Sequence, residues 1–300
     1  DEANRASETG LVVCGPWSVV FPNIQHPRPN TRDPVMGQAL RQLWSARALV
    51  YVLVVRELKA RYRGSVLGFL WSLMNPLLML AIYGLVFAFI LEQRDPSMSP
   101  YVLYLASGLL PWMWLSSSVL QSCTAILDGS ALIRKVVFPA EVLPIVYILS
   151  NGVHFVLSLL IYLAFAVAFH LRLHVSLISL PLIVAAQLIF TTALGLVLSA
   201  LTVYFRDLRD LVGNLLTLWF FSSPVIYSMD LPAIRRSAAL ATLLRFNPAT
   251  HLLESYHAVL FYGRWPDWST WAVFTAGALL MFGAAYGFFH RLRDTLVEEV

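Results

Sequence analysis

Six long apolar runs constrain what this 300-residue chain can fold into. They lie at about 66–91, 101–122, 142–169, 178–204, 211–228 and 268–290. Most exceed the roughly 20 residues that a helix needs to cross a bilayer, and the fifth is the shortest. They do not alternate over about ten residues, as the strands of a membrane barrel do. The pattern predicts an all-α integral membrane protein with six transmembrane helices.

The charged residues agree with this class and indicate its orientation. They make up only 13% of the chain, whereas about a quarter is usual for soluble proteins. Most of the basic residues flank apolar runs, so the net charge of +4 does not predict a nucleic-acid partner. If the N-terminus is cytoplasmic, fifteen Lys and Arg lie in inside segments and six in outside segments. This bias predicts that both termini are cytoplasmic.

The chain divides into three predicted regions. Residues 1–37 are rich in proline and predict a flexible cytosolic tail. Residues 38–64 combine apolar side chains at helical spacing with six basic residues, which predicts an amphipathic helix at the membrane interface. Packing of that helix on another domain is an alternative, and both can hold. Residues 65–300 form the predicted six-span domain.

The segment 229–267 is long for an external loop and carries two helical patterns. Pro232 lies at the start of the first, and Asn247-Pro248 separates the two. Neither pattern is long enough to span a bilayer alone, so we expect a re-entrant helix pair between spans five and six. Non-helical turns at that depth must be buried in protein or face water.

The motifs of an energy-coupling or catalytic site are missing from the sequence. Lys59 and Lys135 are the two lysines and neither follows a glycine, which excludes a P-loop. His251, Glu254 and His257 resemble a ligand cluster, but the two histidines are six residues apart and point in different directions on a helix. We therefore expect no catalytic residue, metal or cofactor in this chain, and a separate protein as its motor. An ion-coupled transporter, a scaffold, and an enzyme using His257 with Glu254 are alternatives.

Three blocks of sequence resemble a known family. The first spans residues 56–87 and contains Arg61-Tyr62-Arg63, Leu67-Gly68, Trp71 and Asn75-Pro76. The second is 204–208, and the third is 223–227 followed by Asn247-Pro248. Together they resemble the membrane subunits of type-2 ABC exporters of lipid-linked polysaccharide. Tyr256-His257 stands where that family has a Phe-Arg pair, so no role of that arginine is carried over.

The resemblance implies partners and a location. It implies a second copy of the chain, two copies of a cytosolic ABC ATPase that binds ATP and Mg²⁺, and a multi-pass position in the bacterial cytoplasmic membrane. The substrate implied is a lipid-linked glycan such as an O-antigen, a teichoic acid or a galactan. The long tail and the composition favour a galactan.

A glycan conduit needs aromatic faces and a few polar groups. Tyr83 and Phe87 share one face of the first span, and Asn214, Thr217 and Phe221 share one face of the fifth. We expect these residues to line the conduit. Ordinary packing between helices is the alternative for both stripes.

A motor needs a cytosolic docking site, and residues 127–135 between spans two and three supply a candidate. Asp128 is suited to cap a short helix. Leu132 and Ile133 are apolar and contribute no stability when exposed to solvent, so they suggest docking in a groove of another protein. Arg134 and Lys135 follow them. We expect this segment to dock on the ATPase. A short interfacial helix with both basic residues on lipid phosphates is the alternative.

The predicted orientation is open to cysteine labelling. Because the basic bias places both termini inside, an impermeant thiol reagent added to intact cells should modify a cysteine introduced at Ser97. The same reagent should leave one introduced at Val300 unmodified. The opposite labelling pattern would contradict the orientation.

Overall fold

The computed structural model describes residues 46–64, 70–86, 98–130, 139–169 and 174–299. Within these ranges the chain is helical and contains no β-strand. The α-helices are α1 Arg47–Arg61, α2 Trp71–Gly84, α3 Tyr101–Asp128, α4 Val142–Ala168, α5 Leu180–Tyr204, α6 Leu208–Phe221, α7 Pro232–Arg236, α8 Ala238–Phe246, α9 Pro248–Tyr256 and α10 Trp268–Glu299. A 3₁₀ turn, Val175–Ser179, precedes α5, and a π turn, His257–Phe261, follows α9.

Four helical segments in the described ranges are long and apolar enough to cross a membrane. They are Tyr101–Asp128, Val142–Ala168, Val175–Tyr204 and Trp268–Arg293. The helices at the first and fifth predicted spans, α2 and α6, have 14 residues each. At 1.5 Å per residue each is about 21 Å long, less than the roughly 30 Å hydrocarbon core. The all-helical class is confirmed, and the count of six spans stays a prediction.

Helix α3 lies at the centre of the bundle. It packs against α4 on one side and α5 on another, and also contacts α2, α6 and α9. Large side chains along its length, such as Tyr104, Leu105 and Leu115, are fully buried. Helix α10 packs on α5 through Phe282 and Phe289. The core is therefore organised around one helix that has neighbours on most of its faces.

Helix α1 packs on the ends of α3 and α4. Its Leu53 is buried in a small cluster with Ala125 and Val146, while Tyr51 and Arg56 on the same helix are exposed. The predicted interface helix therefore has one face on the bundle and another open. The part of that prediction at 38–45 lies outside the described residues.

The segment after α6 folds into short helices that break where prolines stand. Pro232 and Pro248 occupy the first turns of α7 and α9, where a missing N–H costs no hydrogen bond. The Asn247 side chain caps α9 by accepting from the Ala249 amide at 3.0 Å. The helical stretch before Asn247-Pro248 is divided into α7 and α8 at Ser237, whose hydroxyl caps α8 by accepting from the Leu240 amide at 3.3 Å.

A partly buried turn at 222–227 connects α6 to this segment, and side chains from other parts of the chain donate to several of its carbonyls. Asn247 donates to the Ser222 carbonyl at 3.0 Å and to Ser223 Oγ at 2.9 Å. The hydroxyls of Tyr101 and Tyr104 donate to the carbonyls of Ile226 and Tyr227 at 2.9 and 2.8 Å. Protein side chains therefore replace water as the hydrogen-bond donors to the carbonyls of this turn. Non-helical backbone in an apolar bundle requires such donors.

His257 supplies the remaining donor to this turn. Its ring lies parallel to that of Tyr104 with 4.3 Å between centroids, and its Nε2 is 3.0 Å from the Pro224 carbonyl oxygen. A carbonyl oxygen only accepts, so Nε2 carries the proton, and Nδ1 lies 2.8 Å from Ser107 Oγ, which is also 2.7 Å from the Tyr104 carbonyl oxygen. The imidazole is a buried structural link between α3 and the turn.

Helix α10 begins at a carboxylate cap in an exposed loop. Asp267 accepts hydrogen bonds from the hydroxyls of Ser269 and Thr270 at 2.8 and 3.0 Å. These hydrogen bonds hold the pKa of Asp267 below its ordinary value. The ionised carboxylate therefore stabilises the N-terminus of α10 at neutral pH.

The close approach of His257 to α3 depends on Gly108. A Cβ at this position would lie 2.8 Å from Cε1 of His257 and 3.2 Å from the Val225 carbonyl oxygen. We expect Gly108→Ala to lower the free energy of unfolding by about 1–3 kcal/mol, the usual cost of overpacking. The midpoint of thermal unfolding in detergent measures the effect.

Gly287 provides the matched control, since nothing lies within 4 Å of a Cβ built there on α10. Alanine has the better helix propensity, so Gly287→Ala should leave stability unchanged or raise it by up to about 1 kcal/mol. Equal stabilisation by both substitutions would contradict the packing of His257 against α3.

Candidate functional site

An aromatic groove lies between α2, α3 and α6. Its volume is about 350 Å³. We call it the aromatic groove, and it is lined by Asn75, Met79, Tyr83, Leu109, Trp112, Met113, Ser116, Ser117, Leu120, Gly213, Leu216, Thr217, Phe220 and Phe221. Helix α2 forms one wall and α6 the other, with α3 as the floor.

Rings in mutual contact form much of this lining. Phe220 lies 5.6 Å from Tyr83, 5.7 Å from Trp112 and 5.1 Å from Phe221 between ring centroids. Phe220 and Trp112 are buried, whereas 54% of Phe221 is exposed. The buried rings fix the shape of the wall, and the exposed ring offers its face to the groove.

Three of the five predicted conduit residues line the aromatic groove: Tyr83, Thr217 and Phe221. Asn214 is exposed on α6 but is not among the lining residues. Phe87 lies outside the described residues. Helical spacing brings Thr217 and Phe221 onto one face as expected, and the same face meets Tyr83 on α2.

The predicted docking segment falls mostly beyond the described residues. Leu132, Ile133, Arg134 and Lys135 lie in 131–138, which the structure does not describe. Asp128 is the exposed last residue of α3. A carboxylate at a helix C-terminus is not stabilised by the helix dipole. Asp128 can therefore act as a cap only for a helix in the segment that follows it.

A second cavity, of about 400 Å³, lies where α1 meets α3 and α4. We call it the Arg61 cavity after the side chain at its mouth. Arg61 Nη1 donates to Asn151 Oδ1 at 2.9 Å, and Nη2 donates to Gln121 Oε1 at 2.6 Å. Asn151 Nδ2 also donates to Gln121 Oε1 at 3.2 Å. The two amides hold the guanidinium in a fixed orientation.

Tyr62 and His154 continue the polar lining of this cavity. The Tyr62 hydroxyl is 3.2 Å from His154 Nε2, and the two rings meet edge to face. Trp71, Trp114 and Phe155 line other parts of the same cavity. The cavity therefore has a polar mouth and apolar walls.

Sequence reasoning missed the tertiary part of both sites. Trp112 and Phe220 were not among the predicted conduit residues, and the Arg61, Gln121 and Asn151 network was not predicted. In the sequence alone, an arginine at the end of an amphipathic helix cannot be distinguished from an ordinary surface charge. Two amides in apolar spans are the signal that could have indicated a buried polar partner.

The structure separates the residues of the enzyme alternative. His257 is only 3% exposed and packs against Tyr104, whereas Glu254 is exposed on α9. The two side chains do not face one cavity, so they do not form an acid–base pair. In the described part of the chain, no group of three or more His, Cys, Asp or Glu is placed to hold a metal.

Comparison with known proteins places these features in a family. Residues 48–261 match the model of the ABC-2 type transporter family. The chain is 40% identical over 265 residues to an O-antigen export system permease protein of Myxococcus xanthus, covering 88% of this chain and 100% of that protein. An O-antigen export system permease protein of Klebsiella pneumoniae is 32% identical over 72% of this chain and 81% of its own length. A polysialic acid transport protein of Escherichia coli is 23% identical over 69% of this chain and 79% of its own.

The family match extends from α1 to the π turn after α9, and so includes the aromatic groove, the Arg61 cavity and the anchored 222–227 turn. The chain belongs to the ABC-2 type transporter family.

Proposed function

We propose that this chain is the membrane subunit of an ATP-driven exporter of a lipid-linked polysaccharide of the O-antigen type. The observation that carries the proposal is the 40% identity that extends over the whole length of an O-antigen export permease. Both better-matched relatives named above act on O-antigen according to their names, and we therefore prefer this glycan to a galactan.

The aromatic groove is the proposed conduit. A sugar ring presents apolar C–H faces between hydroxyl groups, so a passage for it needs aromatic faces and polar side chains. Tyr83 and Phe221 supply the aromatic faces. The polar side chains are those of Asn75, Ser116 and Thr217. Such contacts are individually weak, which suits a polymer that must move past them.

The architecture proposed around this conduit has six spans, with α2 and α6 as the cores of the first and fifth. Helix α1 lies at the cytosolic interface, and α8 with α9 forms the re-entrant pair. Both termini face the cytoplasm of a bacterial cell whose cytoplasmic membrane holds the chain. The anchored 222–227 turn supports the re-entrant pair, since its carbonyls are satisfied inside the protein.

The assembly proposed contains two copies of this chain and two of a cytosolic ABC ATPase, which binds ATP and Mg²⁺. The many exposed apolar side chains of α2, among them Leu78 and Ile82, support burial against lipid or a second copy. The motor is proposed to dock at Leu132 and Ile133, near the end of α3.

The conduit is tested by removing an exposed ring. Phe221→Ala should lower export several-fold, because a lost contact between an aromatic ring and a sugar costs about 1 kcal/mol by analogy with aromatic pairs. Tyr83→Phe should be nearly silent, since it keeps the ring. The measurement is the ratio of surface to cytosolic polysaccharide in a strain that depends on this chain.

Leu218→Ala is the matched control, because Leu218 is 67% exposed on the same helix and does not line the groove. It should export as the wild type does. Equal export defects in Phe221→Ala and Leu218→Ala, or a fall that only follows the amount of folded protein, would refute the conduit.

The docking site is tested by replacing both Leu132 and Ile133 with Asp. Two carboxylates cannot enter an apolar groove without a large desolvation cost, so co-purification of the ATPase should be lost. The membrane subunit itself should still elute as a folded dimer in detergent. ATPase recovery at the wild-type level would place the docking site elsewhere.

A further inference from the structure

A second, mainly apolar groove adjoins the Arg61 cavity. That groove lies between α2, α3 and α4 and has a volume of about 370 Å³. Pro76, Leu110 and Ser158 line both spaces, so the two adjoin each other. We call the second space the acyl groove.

The acyl groove extends along α4 and is lined mainly by apolar side chains. It follows α4 from Ser158 to Phe169, a rise of about 16 Å at 1.5 Å per residue. Leu77 on α2 and Phe165 on α4 both line it, and both side chains are exposed. A glycan has too many hydroxyl groups for such a lining, whereas a hydrocarbon chain suits it.

The two spaces together are polar and charged at one end and apolar at the other, as a lipid molecule is. One end carries the fixed guanidinium of Arg61 with the Tyr62 and His154 side chains, and the other end is hydrocarbon in character. We propose that they bind an anionic glycerophospholipid, with its phosphate at Arg61 and one acyl chain in the acyl groove.

The charge of the cavity mouth favours an anion. Arginine has five N–H donors in a fork that fits phosphate oxygens, and among the described residues Arg61 uses two of them on Asn151 and Gln121. No carboxylate is found among the described residues that line the cavity. Glu57 is 3.5 Å from the guanidinium, but this pair is partly exposed and so is weak.

The predicted orientation places this mouth on the side where anionic lipids concentrate. Arg61 ends α1, and the basic residues of α1 belong to the segments counted as cytoplasmic. Anionic lipids give the cytoplasmic leaflet its negative surface potential. The acyl groove shares no lining residue with the aromatic groove, since its walls are α2, α3 and α4 and not α6, whereas the Arg61 cavity adjoins the aromatic groove at Asn75, Met113 and Ser117.

Lipid titration of the purified full-length chain tests the proposal without any transport assay, so its outcome is separate from that of the export function. Native mass spectrometry in detergent would compare phosphatidylglycerol with phosphatidylcholine of identical acyl chains. We expect tighter binding of phosphatidylglycerol. Arg61→Gln should weaken it by about tenfold or more, as loss of a charge-assisted hydrogen bond predicts.

Arg63→Gln is the matched control for charge, because Arg63 is exposed two residues further along and does not line the cavity. It should keep the preference for phosphatidylglycerol. Equal losses in Arg61→Gln and Arg63→Gln would overturn the site in favour of diffuse surface attraction.

A second pair of variants tests the acyl groove and does not disturb the polar network. Ala81 lines the groove and Ile82 does not, so Ala81→Phe should weaken binding of both lipids while Ile82→Phe should not. Unchanged binding in Ala81→Phe would overturn the acyl groove. A polyprenyl phosphate that binds more tightly than phosphatidylglycerol would overturn the choice of lipid and point to the carrier of the glycan.

Discussion

The carbonyl groups of the 222–227 turn need hydrogen-bond donors, and several distant parts of the chain are placed to supply them. Several carbonyls of this turn have no helical partner, and in a membrane bundle they must find donors within the protein. Tyr101 and Tyr104 on α3, Asn247 before α9, and His257 after it each supply a donor. The hydrogen bond from His257 to the Pro224 carbonyl is buried, so removing that donor leaves an unsatisfied acceptor, which costs more than the bond itself is worth.

The same requirement gives the aromatic groove one rigid wall. Because the turn ties the end of α6 to α3, Phe220 is held against Trp112, and Asn247 accepts from Trp219 Nε1 at 2.7 Å. The opposite wall, α2, has Pro76 in its interior, which removes a backbone hydrogen bond. One fixed wall and one less constrained wall would suit the proposed conduit, which has to admit a bulky polymer.

Sequence periodicity predicted the elements well because long apolar runs leave few alternatives to a helix. The helices at Tyr101–Asp128 and Val142–Ala168 begin where the runs at 101 and 142 begin, and Asn247-Pro248 marks a real boundary. Prediction stopped where contacts depend on distant helices. His257 reads as a candidate acid or metal ligand in sequence, and only the packing of Tyr104 and the 222–227 turn around it gives it a structural role.

Helix α2 separates two surfaces with different chemistry, and this follows from the order of its residues. Asn75 lines both the aromatic groove and the Arg61 cavity, whereas Pro76, one residue later, lines the Arg61 cavity and the acyl groove. Tyr83 then faces α6 while Leu77 faces α4. A lipid held on the α4 side would brace α2 from behind, so the position of the conduit wall would depend on occupancy of the lipid site. In this proposal the coupling would pass mainly through α2, and it would be short-range, because Asn75, Met113 and Ser117 line both the Arg61 cavity and the aromatic groove.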